Sequence, residues 1–307
     1  MENQNQQYIH LLSLDQPIDI KDLEKIYLAI QRLHPFGISK NRLKIRLKAK
    51  DILVREKNLL VRKDLYLKSR NSLEQRKLKK IELESNLFLV FKEAGWPTLS
   101  LDFLDSASLE SLLRESSHDH LPEAGLLHRL DNDASGWVLC TNKEEKLQRL
   151  IHLRKSGEVS SIYRLTARPS SFISDLLEKK QTFYQDDYCE IVLSEEENFH
   201  KFTVNLAIAK KSARKMQVLK LDDASPKQSC FYLEKKGLRN EKWELYAEIV
   251  KGARHQLRLS AQFLGFPLLG ESLYEDSSGI NLELGLFCLG LKAGDKYFLA
   301  EKLPFST

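Results

Sequence analysis

Between Gly125 and Thr141 the chain reads GLLHRLDNDASGWVLCT, its most informative stretch. His128, Arg129, Asp131, Asn132, Asp133, Ser135 and Gly136 lie there between two apolar runs. Polar side chains enclosed in this way imply a loop at the edge of a sheet, where they can be presented rigidly. Asp131 is the natural focus, because a carboxylate can attack carbon as a nucleophile or remove a proton. Two other readings compete. Asp131, Asp133, Ser135 and Gly136 match the first, third, fifth and sixth positions of a calcium loop, but the twelfth position holds Asn142 instead of a bidentate Glu, and WVLCT has the pattern of a strand. An acidic turn closed by glycine stays open from these residues alone, since Asp, Asn, Ser and Gly are what turns use.

Three distant segments bear on the choice. HRLDNDASG at 128–136 is similar to the H-R-L-D-x-x-T-S-G segment of the RluA-type pseudouridine synthases. IYRLTA at 162–167 resembles that family's second motif, a strand with an active-site tyrosine, here Tyr163. KGARHQLRLSAQFLGFPLLGESLY at 251–274 resembles its third, G-x-x-H-Q-I-R followed by L-G-x-P-I-x-G-D-x-x-Y, and FLVFKEAGWPT at 88–98 resembles the K-P-A-G-x-P opening of the catalytic domain. The matches come in the family's order. The departures are Glu93 for proline, Ala134 for threonine, Ser260 for a common histidine and Glu271 for aspartate.

The resemblance implies an RNA-modifying isomerase that breaks the bond between uracil and ribose and rejoins C5 of the base to C1′. No electrons leave, so no redox cofactor is needed, and the resemblance implies an enzyme with neither a metal nor an organic cofactor. Asp131 would be the essential carboxylate, acting as nucleophile at C1′ or as the base that opens a glycal route. Tyr163 would stack on the uracil and help C5 lose its proton, although a strand tyrosine is more often core. Arg258 would hold Asp131 in place as an anion through a bidentate pair. Arg129 would fill the place of the base drawn out of its stack, a role that competes with a plain salt bridge. His128, Leu130, Gly136, His255 and Gln256 belong to the same motifs and would support the site.

The elements that must hold these residues can be read from hydrophobic patterning. Strands are expected at 86–91, 137–141, 162–167, 189–193, 202–208, 230–234 and 243–250, with helices at 107–116, 143–155, 171–180 and 254–264. Without a steady β-α-β rhythm, this order predicts an α+β domain, residues 81–307, on a mixed, largely antiparallel sheet with flanking helices.

Residues 1–80 differ in character. Leu23, Ile26, Tyr27, Ile30 and Leu33 recur at helical spacing, and Pro35 should end that helix. A second helix capped by Ser39 should run into a strand near Ile52–Val54, and LLVRKDLYL reads as short strands and turns. This order resembles the alpha-L RNA-binding module, with Lys50 where that module has a turn glycine. The net charge is +5, yet residues 41–80 hold fifteen Lys or Arg against four Asp or Glu. A net +11 block suits phosphate binding or a solvated surface. It favours structured ribosomal RNA over transfer RNA as partner. The four cysteines lie far apart without metal-ligand spacing, and no signal peptide or membrane span is evident, so a cytoplasmic monomer is expected, with no membrane partner. A noncatalytic RNA-binding or ribosome-assembly protein that has kept the synthase fold is the alternative.

Overall fold

The computed structural model describes residues 7–13, 16, 17, 19–33, 38–100, 102–104, 107–118, 121–275 and 282–304. The chain forms two compact units, Met1–Lys79 with Trp96–Leu126 and Lys80–Gly95 with Leu127–Thr307.

The first unit contains β1 (Tyr8–Ser13), α1 (Leu23–Leu33), α2 (Lys40–Lys48), β2 (Ile52–Arg55), β3 (Asn58–Arg62), α3 (Lys63–Glu74) and α4 (Leu109–Leu113). Its strands form an antiparallel sheet in the order β1-β3-β2. Ile26 and Ile30 of α1 pack with Leu43 of α2 and Ile52, Leu59 and Val61 of the sheet. Ser39 caps α2, accepting a hydrogen bond from Arg42 N. Pro35, expected to end α1, lies outside the described residues. After β3 the chain is helical from Lys63, where short strands and turns were expected. Lys50 adopts φ 59°, the left-handed conformation that a turn glycine would take without cost.

Part of the basic block is neutralised within this unit. Asp102, 1% exposed, accepts Nε and Nη2 of Arg46 at 2.9 and 3.0 Å and Nε of Arg42 at 3.0 Å. Asp51 accepts Arg46 and Arg62, and Asp64 accepts Arg62 as well. Buried charges persist only when paired in this way, and Asp102 ties the segment after Trp96 to α2.

The second unit is α+β and built on one sheet. Its strands are β4 (Lys80–Glu84), β5 (Leu87–Lys92), β6 (Ser135–Thr141), β7 (Val159–Ala167), β8 (Phe183–Gln185), β9 (Cys189–Glu195), β10 (Phe199–Lys210), β11 (Met216–Leu219), β12 (Pro226–Glu234), β13 (Trp243–Ile249), β14 (Leu286–Ala293) and β15 (Lys296–Leu299). Ten follow the order β4-β5-β6-β14-β7-β13-β12-β10-β9-β8, with β11 paired to β10 and β15 to β14. Among the described residues β6 and β14 make the parallel pair, and the other pairs are antiparallel. The helices are α5 (Glu144–Ser156), α6 (Ser171–Glu178) and α7 (Gln256–Phe263). β7 is buried along nearly its whole length, as a central strand must be, whereas β4 alternates exposed and half-buried residues.

The parallel seam explains Gly136. Its φ is +129°, and a Cβ there would lie 2.3 Å from the carbonyl oxygen of Cys288 and 2.4 Å from its nitrogen. Backbone atoms in a paired strand cannot retreat, so only glycine lets β6 approach β14. Gly136→Ala is expected to lower the unfolding free energy by more than about 2 kcal/mol. Urea denaturation reads this directly, and a loss below about 0.5 kcal/mol would show that the seam can yield.

Candidate active site

The turn after Leu130 is positioned by β5 as well as by β6. Lys92, fully buried at the end of β5, donates its ammonium to the carbonyl oxygens of Asn132 and Glu93, both at 3.0 Å. The Gly95 amide donates to Asn132 O at 2.8 Å, and the Ala134 amide to Asp131 O at 3.2 Å. A buried ammonium must keep such partners, so the backbone beside Asp131 is clamped from both sides. The Asp131 side chain is 20% exposed.

Asp131 shares a cavity of about 130 Å³ with Tyr163 of β7, with Arg129 and Leu130 from its own loop, and with Arg254, His255 and Gln256 at the start of α7. Arg129 is exposed and Leu130 buried. Burial, then the neighbouring Cys288 and the Asp131 carboxylate, raise the Tyr163 phenol well above its ordinary pKa, so it stays protonated.

His128 does not line this cavity. It is buried behind the turn, where its Nε2 accepts the Leu139 amide at 3.2 Å. Burial, aided by Arg154, pushes its pKa down to about 3, so His128 is a neutral acceptor that fixes the loop against β6.

His255 enters α7 in the left-handed conformation, φ 56°. Its Nε2 accepts Arg254 Nε at 3.3 Å, so Nδ1 carries the proton and donates to the Tyr274 hydroxyl at 2.7 Å. Nε2 stands 3.9 Å from Asp131 Oδ1, beyond hydrogen-bond range. Burial lowers the His255 pKa and Asp131 opposes it, while the Arg258 and Arg254 guanidiniums add to the lowering. Gln256 bridges inward, with its Nε2 donating to Gln228 O and Ser229 Oγ and its Oε1 accepting the Ala253 amide.

The expected bidentate partner of Arg258 is corrected. Its Nε and Nη2 donate to Glu271 at 2.7 and 2.6 Å, and its Nη1 donates to Asp133 at 3.1 Å, leaving no bidentate pair with Asp131. Arg258 is 2% exposed and does not line the cavity, while Arg254, which precedes α7, is exposed and lines it. The reason is reach: on α7 the Arg258 fork meets the buried Glu271 carboxylate, the better desolvated and geometrically matched anion. Burial opposes the charge of Glu271, but Arg258 and the Leu273 and Tyr274 amides more than offset it, so its pKa is lowered.

The family model for RNA pseudouridylate synthase matches residues 86–263, more than half of the chain and all of the cavity described above apart from its edge at Leu286. The chain belongs to the RNA pseudouridylate synthase family. No curated protein matches the sequence. Among solved structures, human RNA Pseudouridylate Synthase Domain Containing 1 is 18% identical, covering 70% of this chain and 78% of its own at a TM-score of 0.46. Human RNA Pseudouridylate Synthase Domain Containing 4 is 14% identical, covering 74% and 87%, also at 0.46.

Residues that patterning alone did not single out also line or brace this cavity. Arg154, on the last turn of α5, lines it and donates to Leu127 O at 2.6 Å. Tyr274 holds His255, and the Met216 amide donates to its hydroxyl. Lys92, Glu271 and Tyr274 lie inside quoted motif segments, where their identity was legible but their partners were not. Arg154 carried no signal beyond a basic helix end. No group of three or more His, Cys, Asp or Glu side chains among the described residues could hold a metal ion.

Proposed function

We propose that this chain isomerises a specific uridine in RNA to its C-glycoside, with structured ribosomal RNA favoured over transfer RNA. The observation that carries the reading is the convergence of Asp131, Tyr163 and Arg129 on one cavity of the family domain. Asp131 attacks C1′ or removes a sugar proton; either route needs the carboxylate aimed at the sugar, which the Lys92 clamp on its turn supports. The released uracil turns against Tyr163, and C5 rejoins C1′ as its proton leaves and N1 gains one. The protonated phenol offers a flat, polar partner to the ring. Arg129, exposed at the cavity, is suited to enter the vacancy in the RNA stack. Arg258 attracts Asp131 through space while its fork is held by Glu271, and so acts as a positioning residue. His128, Leu130, Gly136, His255 and Gln256 hold these groups.

The reading extends to the first unit as an alpha-L-like RNA-binding attachment, supported by its helix, Ser39-capped helix and hairpin order and by exposed Lys44, Lys48 and Lys57. Four free cysteines without a disulfide support a reducing compartment, taken here as the cytoplasm. The triple substitution Lys44→Gln, Lys48→Gln, Lys57→Gln is expected to weaken RNA binding and to flatten the slope of log affinity against log salt by about 2. An unchanged slope makes these lysines a solvated surface only.

The function itself is tested by mapping pseudouridine across all RNAs in cells with and without the gene. Loss of one or a few defined sites, restored by the wild-type chain, is the expected result. A map identical in both strains overturns the reading and leaves a binding protein with the synthase fold.

A further inference from the structure

The cavity at Asp131 continues into a second concavity of about 540 Å³, which shares Arg154 and Gly252 with it. Leu127, Ile151 and Val250 give this groove an apolar wall, and Val250 is 37% exposed. Its other lining residues are Lys155, Lys227 and Lys251, and among the described residues no acidic side chain lines it. Some surface lysines elsewhere in this unit sit beside carboxylates, as Lys220 does with Asp187, Lys235 with Glu195 and Lys242 with Glu244. The three groove lysines make no side-chain ion pair or hydrogen bond among the described residues.

Unpaired like charges around an apolar surface repel one another until an anion arrives, and the apolar wall selects which anion. Inorganic phosphate would satisfy the lysines and leave Ile151 and Val250 in water. An apolar peptide would cover the wall and bury the ammonium groups without partners. A nucleotide answers both, since its phosphate is anionic and its base has a flat face of low polarity. We propose that this groove seats the nucleotide adjoining the target uridine in a single-stranded stretch of RNA, with its phosphate between Lys227 and Lys251 and its base against Ile151 and Val250. The inference rests on the RNA reading of the neighbouring cavity. Such a contact fixes the register of the strand, so that the uridine one step away reaches Asp131.

The full chain with labelled Ile, Leu and Val methyl groups reports both sites by NMR. Uridine alone should shift Leu130 and Leu257, which line the Asp131 cavity, and leave Ile151 and Val250 in place. The trinucleotide UpUpU should shift all four. Lys227→Gln combined with Lys251→Gln should weaken UpUpU about tenfold and lower its log–log salt slope by about 1.4, two contacts at about 0.7 each for a single strand, with uridine affinity unchanged. If UpUpU moves Leu130 and Leu257 but not Ile151 and Val250, or if the double variant binds it as the wild type does, the groove is off the path of the RNA and the proposal is overturned while the cavity reading stands. If neither ligand moves any of the four methyl groups, the RNA reading of the cavity fails and this proposal falls with it.

Discussion

Asp131→Asn should bind its RNA within about twofold of the wild type and lose isomerisation by a factor on the order of 10⁴ or more. The amide keeps the shape of the side chain and can still sit in the turn that Lys92 and Gly95 clamp, because that clamp acts on backbone oxygens and not on the carboxylate. What disappears is the anion, which both chemical routes need. Release of tritium from C5-labelled uridine in the mapped RNA, under single turnover at saturating enzyme, separates this loss from any change in binding. Residual turnover within tenfold of the wild type would remove Asp131 from the reaction and return the loop to the status of an acidic turn.

Glu271→Gln should cost about 3 kcal/mol of unfolding free energy at neutral pH. The substitution leaves the Arg258 guanidinium, 2% exposed, with Asp133 as its hydrogen-bonded anion, and the Asp133 side chain is 51% exposed and well hydrated. It also places an amide NH2 where a carboxylate oxygen had accepted the fork. The effect has a pH signature. Glu271 is held below the ordinary carboxylate pKa in the folded state, so its contribution is fully present above the unfolded value near 4.5 and is lost as pH falls through the lower folded value. The gap in urea stability between wild type and variant should therefore be constant from pH 8 to 5 and narrow below about 4.5. A gap under about 0.5 kcal/mol at pH 7, or one that widens in acid, contradicts the assignment of Glu271 as the charge that keeps Arg258 buried.

Much of the fold could be read before any coordinates, and the misses have definite causes. Strands such as β7 and β13 announce themselves through branched and aromatic residues, and in β13 through the alternation of buried Trp243, Leu245, Ala247 and Ile249 with more exposed neighbours. β4, with the sequence KIELE, offers only two apolar residues at an exposed edge and so was not among the expected strands. β14 was missed because Gly290 interrupts LFCLGLKA, and that glycine is required by contact with the Phe298 carbonyl of β15, which sequence does not display. The start of α3 was misread because VRKDLYL alternates like a strand through Arg62 before turning helical.

The site shows the same division. Motif segments named Asp131, Tyr163 and His255, and the fold brings them to one cavity, since each occupies a position that the chain order of the motifs already marked. The partner of Arg258 could not be inferred, because Asp131, Asp133 and Glu271 are equally acidic in a one-dimensional string. Burial chose among them.

The position of β14 bears on how the molecule is made. Gly136, five residues beyond Asp131, is locked against Cys288, and β14 stands between β6 and β7 in the strand order. During synthesis β6 and β7 leave the ribosome some 120 residues before the strand that joins them. Until then the edges of both are open to mispairing, and the nascent chain has the side chains of the proposed site but no assembled cavity. A nascent chain arrested before residue 286 is therefore expected to be inert, and a candidate for chaperone binding at the unpaired faces of β6 and β7.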